Sequence, residues 1–200
     1  QFFPQVETSE IGRRLDVLAL RQGMAALASI PTLRLSINLS ARSIDYPLWM
    51  AELERGLAGD PSVGERLILE ITESSAITMP HVVTDFIARL QERGIAFALD
   101  DFGSGYTSMK YLKDFCFDIL KMDGEFCLGA AESPDNRALI RAVVSIAQHF
   151  DMLVVAESVE TASDAAALTS LGVDCLQGYH FGAPSLSPRW RSCGAFASGG

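Results

Sequence analysis

The sequence is short of basic residues and of long apolar runs, and each shortage excludes a class of function. Its 16 lysines and arginines stand against 25 aspartates and glutamates, so the net charge at pH 7 is −9. A groove for DNA or RNA needs a basic face, and this charge balance argues against one. No apolar stretch approaches the roughly 18 residues that cross a membrane, so we expect no membrane contact by this segment.

Cysteine pairs with the spacing of a metal site are also missing. Cys116, Cys127, Cys175 and Cys193 include no C-x-x-C pair, which is the spacing of zinc sites and redox centres. The first three stand among apolar residues, as buried small hydrophobic side chains do. We therefore expect reduced thiols in the core rather than disulfides. Reduced thiols suit a cytoplasmic protein, either separate or as the cytoplasmic part of a larger sensor.

Short β-type segments alternate with helical patterns along the chain. The predicted strands are residues 33–39, 67–72, 95–100, 117–122, 153–157 and 173–178. Several are continuous apolar runs, which are typical of a parallel sheet covered on both faces. Pro134 predicts the start of a helix, and Thr161 with Asp164 predicts a capping box at the start of another. The apolar face of the first of these helices is predicted to hold Leu139, Ile140, Val143, Val144, Ala147 and Phe150.

Repeated strand–helix units predict an α/β fold, either an open doubly wound sheet or a (β/α)8 barrel. No glycine-rich phosphate fingerprint follows the first strand, which weakens the case for the nucleotide-binding open sheet. A barrel with only six strands would expose two sheet edges. We therefore predict a modified TIM-type (β/α)8 barrel whose N-terminal strands are missing from this sequence. Residues 1–188 are expected to form this domain and residues 189–200 a poorly ordered tail.

Polar side chains stand at the ends of the predicted strands. They are Asn38, Glu70, Glu73, Asp100, Asp101, Lys121, Asp123, Glu157, Glu160 and Gln177. In a barrel the carboxyl ends of parallel strands converge on one rim, where loops build the active site. Carboxylates gathered there repel each other unless a cation neutralises them, and hard oxygen ligands select Mg²⁺ or Mn²⁺. The pattern predicts a site for two divalent ions, although any one of these acids is more often a helix cap or a solvated loop residue.

Strings of residues around these positions resemble a known family. They are SINLS at 36–40, LEITES at 69–74, LDDFGSGY at 99–106, LKMD at 120–123, VAESVET at 155–161 and QGY at 177–179. In this order they resemble the EAL-domain cyclic di-GMP phosphodiesterases, and the match runs from Phe2 to Pro184. The resemblance implies a bacterial signalling enzyme that uses Mg²⁺ or Mn²⁺ to hydrolyse cyclic di-GMP to linear pGpG.

The resemblance also implies a role for each strand-end residue. The implied metal ligands are Asn38, Glu70, Asp100, Asp101 and Glu157. Lys121 corresponds to the residue that holds the attacking water, and Gln177 to one that positions water. Glu73 corresponds to the acid that anchors the loop 102–107, which the family connects with homodimerisation. Asp123 and Glu160 correspond to positions near a guanine or the site wall.

The sequence departs from the family pattern in places that bear on activity. It contains no Glu-Ala-Leu string, which supplies the family with a further metal-ligating glutamate, and it lacks the phosphate-binding arginine of the same segment. Ser158 stands where the family has glycine, between Glu157 and Val159. Ser104 and Thr107 are milder changes. Catalysis is therefore predicted only if an upstream segment supplies the missing glutamate.

Two other functions compete with this one. A cyclic di-GMP receptor without catalysis would use the same barrel mouth, but degenerate enzymes lose metal-site acids and this sequence retains every acid that it spans. A barrel lyase or aldolase would use Lys121 as a Schiff base. The surrounding carboxylates argue against the lyase, because an imine-forming lysine needs an apolar or cationic setting.

Overall fold

A six-stranded parallel sheet organises the molecule. The structure is a computed structural model that describes residues 10–104 and 112–186. Its helices are α1 (Glu10–Ser29), α2 (Pro47–Gly59), α3 (Glu73–Thr78), α4 (Pro80–Gln91), α5 (Gly124–Cys127), α6 (Pro134–His149) and α7 (Ala162–Ser170). Its strands are β1 (Leu35–Asn38), β2 (Leu67–Thr72), β3 (Ala96–Phe102), β4 (Ile119–Met122), β5 (Leu153–Ala156) and β6 (Cys175–Leu176). Two 3₁₀ turns, Ala41–Ser43 and Pro61–Arg66, lie in the loops on either side of α2.

The strands pair in sequence order, β1-β2-β3-β4-β5-β6, and every pair is parallel. Within the described ranges β1 and β6 are the two ends of this order, so the sheet is an open part of a barrel. This confirms the predicted barrel-type α/β fold. The prediction of β2 matches its observed bounds, whereas the strand predicted at 173–178 is reduced to Cys175–Leu176. Among the described residues that strand pairs with β5 alone, so fewer backbone hydrogen bonds support it.

The helices cover the sheet with one apolar face each. On α6 this face consists of Ile140, Val143, Val144 and Ala147, which are buried as predicted. Leu139 and Phe150 were predicted on the same face, but they are 49% and 37% exposed. The buried set follows the i, i+3, i+4, i+7 pattern, and Leu139 lies one residue, or about 100°, outside it. No helix of the described part is long and apolar enough to span a membrane.

Side chains that cap elements fix the ends of the fold. The N-cap half of the predicted capping box is observed, because the Asp164 amide donates to Thr161 Oγ1 at 3.1 Å. The Asp164 carboxylate accepts from the Ala131 amide and from the Thr161 hydroxyl. At the amino ends of the strands, Asp118 Oδ2 accepts from the Phe97 amide at 2.8 Å. Asp174 Oδ2 accepts from the Val154 amide, also at 2.8 Å. These two aspartates, which sequence reasoning did not single out, fix the register between neighbouring strands at the end opposite the predicted site.

The cysteine prediction is only partly correct. Cys127 is buried, and burial raises the pKa of its thiol to about 12. Cys116 and Cys175 are exposed, contrary to prediction. Cys116 lies between Phe115 and Phe117, which are both buried in the core, and the intervening thiol faces outward. All three thiols are free. Cys193 and the predicted tail lie outside the described residues.

Candidate functional site

The carboxyl ends of β2, β3, β4 and β5 bring charged side chains to one edge of the sheet. Glu70 lies on β2, Asp100 on β3 and Lys121 on β4, while Glu157 directly follows β5. Glu70, Asp100 and Lys121 are 8%, 9% and 5% exposed, which is rare for charged residues unless they are paired. The parallel register produces this gathering, because each strand contributes its last residues to the same end.

Lys121 lies at the centre of this group. Its Nζ is 2.8 Å from Glu70 Oε2, 2.7 Å from Asp100 Oδ1 and 2.7 Å from Glu157 Oε1. Burial acts to lower the pKa of Lys121, but the hydrogen bonds to Asp100, Glu157 and Glu70 outweigh it and raise that pKa above its ordinary value. Lys121 is therefore an ammonium at neutral pH. One ammonium against three carboxylates leaves the group negatively charged.

A β-bulge adds a further carboxylate to the group. The register between β3 and β4 shifts between Leu99 and Phe102, and Asp101 has a left-handed backbone with a φ of 56°. In a regular strand Asp100 and Asp101 would point to opposite faces. Here a carboxylate oxygen from Asp100, one from Asp101 and one from Glu157 lie within 4.8 Å of one another. This spacing fits the donor set of a divalent cation.

The pKa of Glu157 reflects burial and the repulsion among the carboxylates of the group. Burial raises the pKa of its carboxyl above the usual value, and the charges of Asp100 and Asp101 raise it further. The hydrogen bond from Lys121 opposes this rise. A carboxyl in this state binds a proton or a cation more readily than a solvated one.

Asn38, at the end of β1, lines the same cavity as several of the acids. The cavity has a volume of about 310 Å³, and Asn38 is paired in register with Glu70. Asp16 of α1 also lines it and accepts hydrogen bonds from Ser43 Oγ at 2.6 Å and from the Ser40 amide at 3.3 Å. Sequence reasoning missed Asp16, because a single acid within a helix carries no motif.

A second cavity, of about 430 Å³, borders Glu157. Its lining includes Glu157, Ser158, Glu160, Gln177 and Tyr179. Two backbone hydrogen bonds join the loops after β5 and β6, from Gln177 to Ala156 and from Val159 to Gln177. The structure thus brings Glu160 and Gln177 together beside Glu157. Asp123 is the N-cap of α5, where its Oδ1 accepts from the Glu125 amide at 2.8 Å.

Glu73 and Ser158 hold the loops next to the acids. The buried Glu73 accepts a hydrogen bond from the Gly103 amide at 3.2 Å through Oε2. Residues 105–107 of the loop predicted to dimerise lie outside the described residues. Ser158 has a left-handed backbone with a φ of 54° directly after Glu157, a conformation that favours glycine. The Ser158 side chain fills the space in front of Gly124, where an added Cβ would meet Ser158 Oγ at 2.6 Å and Ser158 Cβ at 2.7 Å.

Comparison with known proteins identifies the family to which this chain belongs. A profile of the EAL domain matches residues 1–184. The cyclic di-GMP phosphodiesterase PdeF of Escherichia coli is 37% identical over 187 residues, which cover 92% of this chain and 25% of PdeF. The chain spans about a quarter of the length of the curated relatives it matches.

Solved structures share the fold. The PaMucR phosphodiesterase in complex with c-di-GMP superposes with a TM-score of 0.77 at 31% identity, covering 92% of this chain and 76% of that chain. The manganese/cy-diGMP complex of Klebsiella pneumoniae BlrP1 at pH 9.0 gives a TM-score of 0.77 at 29% identity, covering 86% and 45%. The family resemblance inferred from the six strings is thus confirmed, and the chain belongs to the EAL domain family.

Proposed function

We propose that this chain is the phosphodiesterase domain of a bacterial signalling protein that hydrolyses cyclic di-GMP to linear pGpG in a metal-dependent reaction. The observation that carries the proposal is the group of carboxylates around Lys121 at the carboxyl end of the sheet. The relatives support the substrate, since PdeF is named a cyclic di-GMP phosphodiesterase and the MucR and BlrP1 structures are complexes with the cyclic dinucleotide.

The donor set fits hard divalent cations. The proposed ligands of two Mg²⁺ or Mn²⁺ ions are Asn38, Glu70, Asp100, Asp101 and Glu157. Oxygen donors of this kind select such ions over zinc or copper, and the manganese complex of BlrP1 supports the choice. These residues would hold the ions, which would supply positive charge to offset the repulsion between a negative domain and a negative phosphodiester, and Lewis acidity to activate the phosphate and a water.

Lys121 and Glu157 have distinct proposed roles. Three carboxylates keep Lys121 protonated and occupy its three N–H donors. Its proposed role is to orient the attacking water and offset charge developing on the phosphate, through the N–H that is released when one of these carboxylates turns towards a cation. A protonated lysine accepts no proton from that water. Glu157, whose Oε1 lies 2.7 Å from Lys121 Nζ, is the proposed proton acceptor. Gln177, on the cavity beside Glu157, is the proposed second partner for water.

The environment of Lys121 speaks against the lyase or aldolase hypothesis. A Schiff base forms from a neutral amine, and such lysines have a lowered pKa. Lys121 instead has a raised pKa and is hydrogen-bonded to three carboxylates. A neutral amine here would also leave three carboxylates without their only close cation among the described residues.

The substrate is proposed to extend from the acids into the cavity beside Glu157. That cavity presents Glu160, Gln177 and Tyr179, which suit a guanine edge and ring. Asp123 is proposed to lie near the same base. Glu73 is proposed to anchor the loop that begins at Phe102, and through it a homodimer. The cytoplasmic location indicated by the free thiols stays a prediction.

The test is incubation of the full-length protein with cyclic di-GMP and Mg²⁺ or Mn²⁺, with and without a chelator. We expect pGpG only when free metal is present. Lys121→Met and Glu157→Gln should abolish turnover, whereas Glu92→Gln, a control on an exposed acid at the opposite end of the sheet, should not. Tight binding of cyclic di-GMP with no pGpG under either metal would instead establish the receptor function.

A further inference from the structure

Gly103 is held from two sides by residues of different helices. On one side its amide donates to Glu73 Oε2 of α3. On the other side the ring of Phe126 lies so close that an added Cβ on Gly103 would fall 1.9, 2.7 and 2.9 Å from three ring carbons. The φ of Gly103 is +98°, which also favours glycine. The ring therefore packs directly against the Gly103 backbone.

Phe126 reaches this place because α5 is joined to the end of β3. The Asp123 amide donates to the Phe102 carbonyl at 3.1 Å, and the Phe126 amide donates to the Asp123 carbonyl at 3.1 Å. The half-buried Phe126 side chain also packs against the main hydrophobic core. The position of the ring relative to Gly103 is thus set by backbone hydrogen bonds and by core packing.

The turn that contains Gly103 begins at a strained aspartate. Asp101 has a φ of 56°, and the Ser104 amide closes the turn on the Asp101 carbonyl at 3.1 Å. Aspartate adopts the left-handed conformation more easily than most residues with a Cβ, but the conformation still has a cost that the surroundings must offset. The contacts of Glu73 and Phe126 with Gly103 are such surroundings, two residues beyond Asp101.

We propose that Phe126 is a positioning residue that, together with Glu73, holds the turn 101–104 so that the Asp101 carboxylate stays beside Asp100 and Glu157. Phe126 is proposed to act through its contact with Gly103. The consequence for metal binding rests on the proposed function, whereas the effect on the turn does not.

The first experiment therefore needs no metal. In the ¹⁵N-glycine-labelled chain, amide hydrogen exchange at Gly103 is measured for Phe126→Leu, Phe126→Val and Phe126→Ala. We expect exchange to rise as the side chain shrinks, by about tenfold in the alanine variant, because a local opening is made easier. The leucine and valine variants decide the question if the alanine variant does not fold. Phe150→Ala, at a partly exposed phenylalanine at the far end of α6, is the matched control and should leave Gly103 unchanged. Unchanged exchange at Gly103 in every folded Phe126 variant would overturn the proposal.

The second experiment measures Mn²⁺ affinity of the same variants by calorimetry. Phe126→Ala should weaken binding about tenfold, the lower end of what changes behind metal ligands produce, and Phe126→Leu should restore most of it. Combined with Glu73→Gln, the loss should be smaller than the product of the two single losses, because both act on Gly103. Equal affinities of wild type and Phe126→Ala, or fully multiplicative losses, would contradict the positioning role. Absence of Mn²⁺ binding to the wild type would count against the proposed function, and the exchange experiment would still decide on Phe126.

Discussion

Replacing Gly124 by alanine puts a methyl group where the side chain of Ser158 already lies. The added carbon would be 2.6 Å from Ser158 Oγ and 2.7 Å from Ser158 Cβ. The Cβ cannot swing away by a rotamer change, so the backbone next to Glu157 or α5 has to move. Forced overlaps of this kind cost about 1–3 kcal/mol. Alanine otherwise stabilises by about 0.4–1 kcal/mol relative to glycine, because it restricts the unfolded chain, so Gly124→Ala should lose about 1–2 kcal/mol net.

The same substitution should change sign when Ser158 is glycine. Ser158→Gly removes both overlapping atoms and relieves a left-handed serine, a gain of about 1–2 kcal/mol that the greater freedom of glycine in the unfolded chain largely offsets. The single Ser158→Gly variant should therefore be nearly neutral. In that background Gly124→Ala should be neutral or stabilising by up to about 1 kcal/mol. The coupling between the two sites is then about 1–3 kcal/mol.

Urea unfolding of the metal-free chain measures all four proteins of this cycle. For a domain of this size each kcal/mol also moves the Tm by about 2–4 °C, which thermal unfolding can confirm. Equal destabilisation by Gly124→Ala with serine and with glycine at position 158 would refute the reasoning. In that case the contact between the two loops would not be what restricts position 124.

Three further predictions concern charge and hydrogen bonding. Lys121→Met leaves Glu70, Asp100 and Glu157 without their ammonium, so the variant should lose about 3–5 kcal/mol at pH 7 and recover stability as the pH falls, measured by urea titration at several pH values. The pKa of Glu157 is raised in the folded state, so over a range of pH the folded chain keeps a proton that the unfolded chain has lost. This group therefore makes the free energy of unfolding fall as the pH rises above the usual glutamate range. Glu157→Gln should lack this dependence of the free energy of unfolding on pH. Asp118→Asn should lose about 1–3 kcal/mol because the Phe97 amide loses a charged acceptor, while Mn²⁺ affinity stays at the wild-type value in calorimetry.

The order of elements and the identity of the acids were accessible from the sequence because both depend on local pattern. The run from Leu67 to Thr72 is apolar and short, and the observed strand has the same bounds. Strand ends then indicate which side chains meet, since parallel strands share one direction. The expected meeting of Asp100, Lys121 and Glu157 at one edge depends on nothing more.

The direction in which side chains face and the detailed backbone conformation were harder to predict from the sequence. Leu139 and Ile140 are equally apolar, and only the packing of α6 decides that Ile140 is the buried one. Cys116 stands between two phenylalanines, a setting that suggests burial, but in the structure the two rings are buried and the thiol is exposed. Asp118 has no motif, because its acceptor role depends on where Phe97 arrives from another strand. Such features depend on tertiary geometry and leave no periodic signal.

The bulge at Asp101 shows that having an acidic residue in the sequence is not enough to place its carboxylate in the site. In a regular strand the two neighbouring aspartates would point to opposite faces of the sheet, and only one carboxylate would reach the site. A protein with that backbone would retain both aspartates and still lack one of the carboxylates at the site. Loss of the bulge would therefore not be visible from the acidic residues of a sequence alone. In this chain the position of the Asp101 carboxylate depends on a backbone φ of 56° as well as on the identity of the residue.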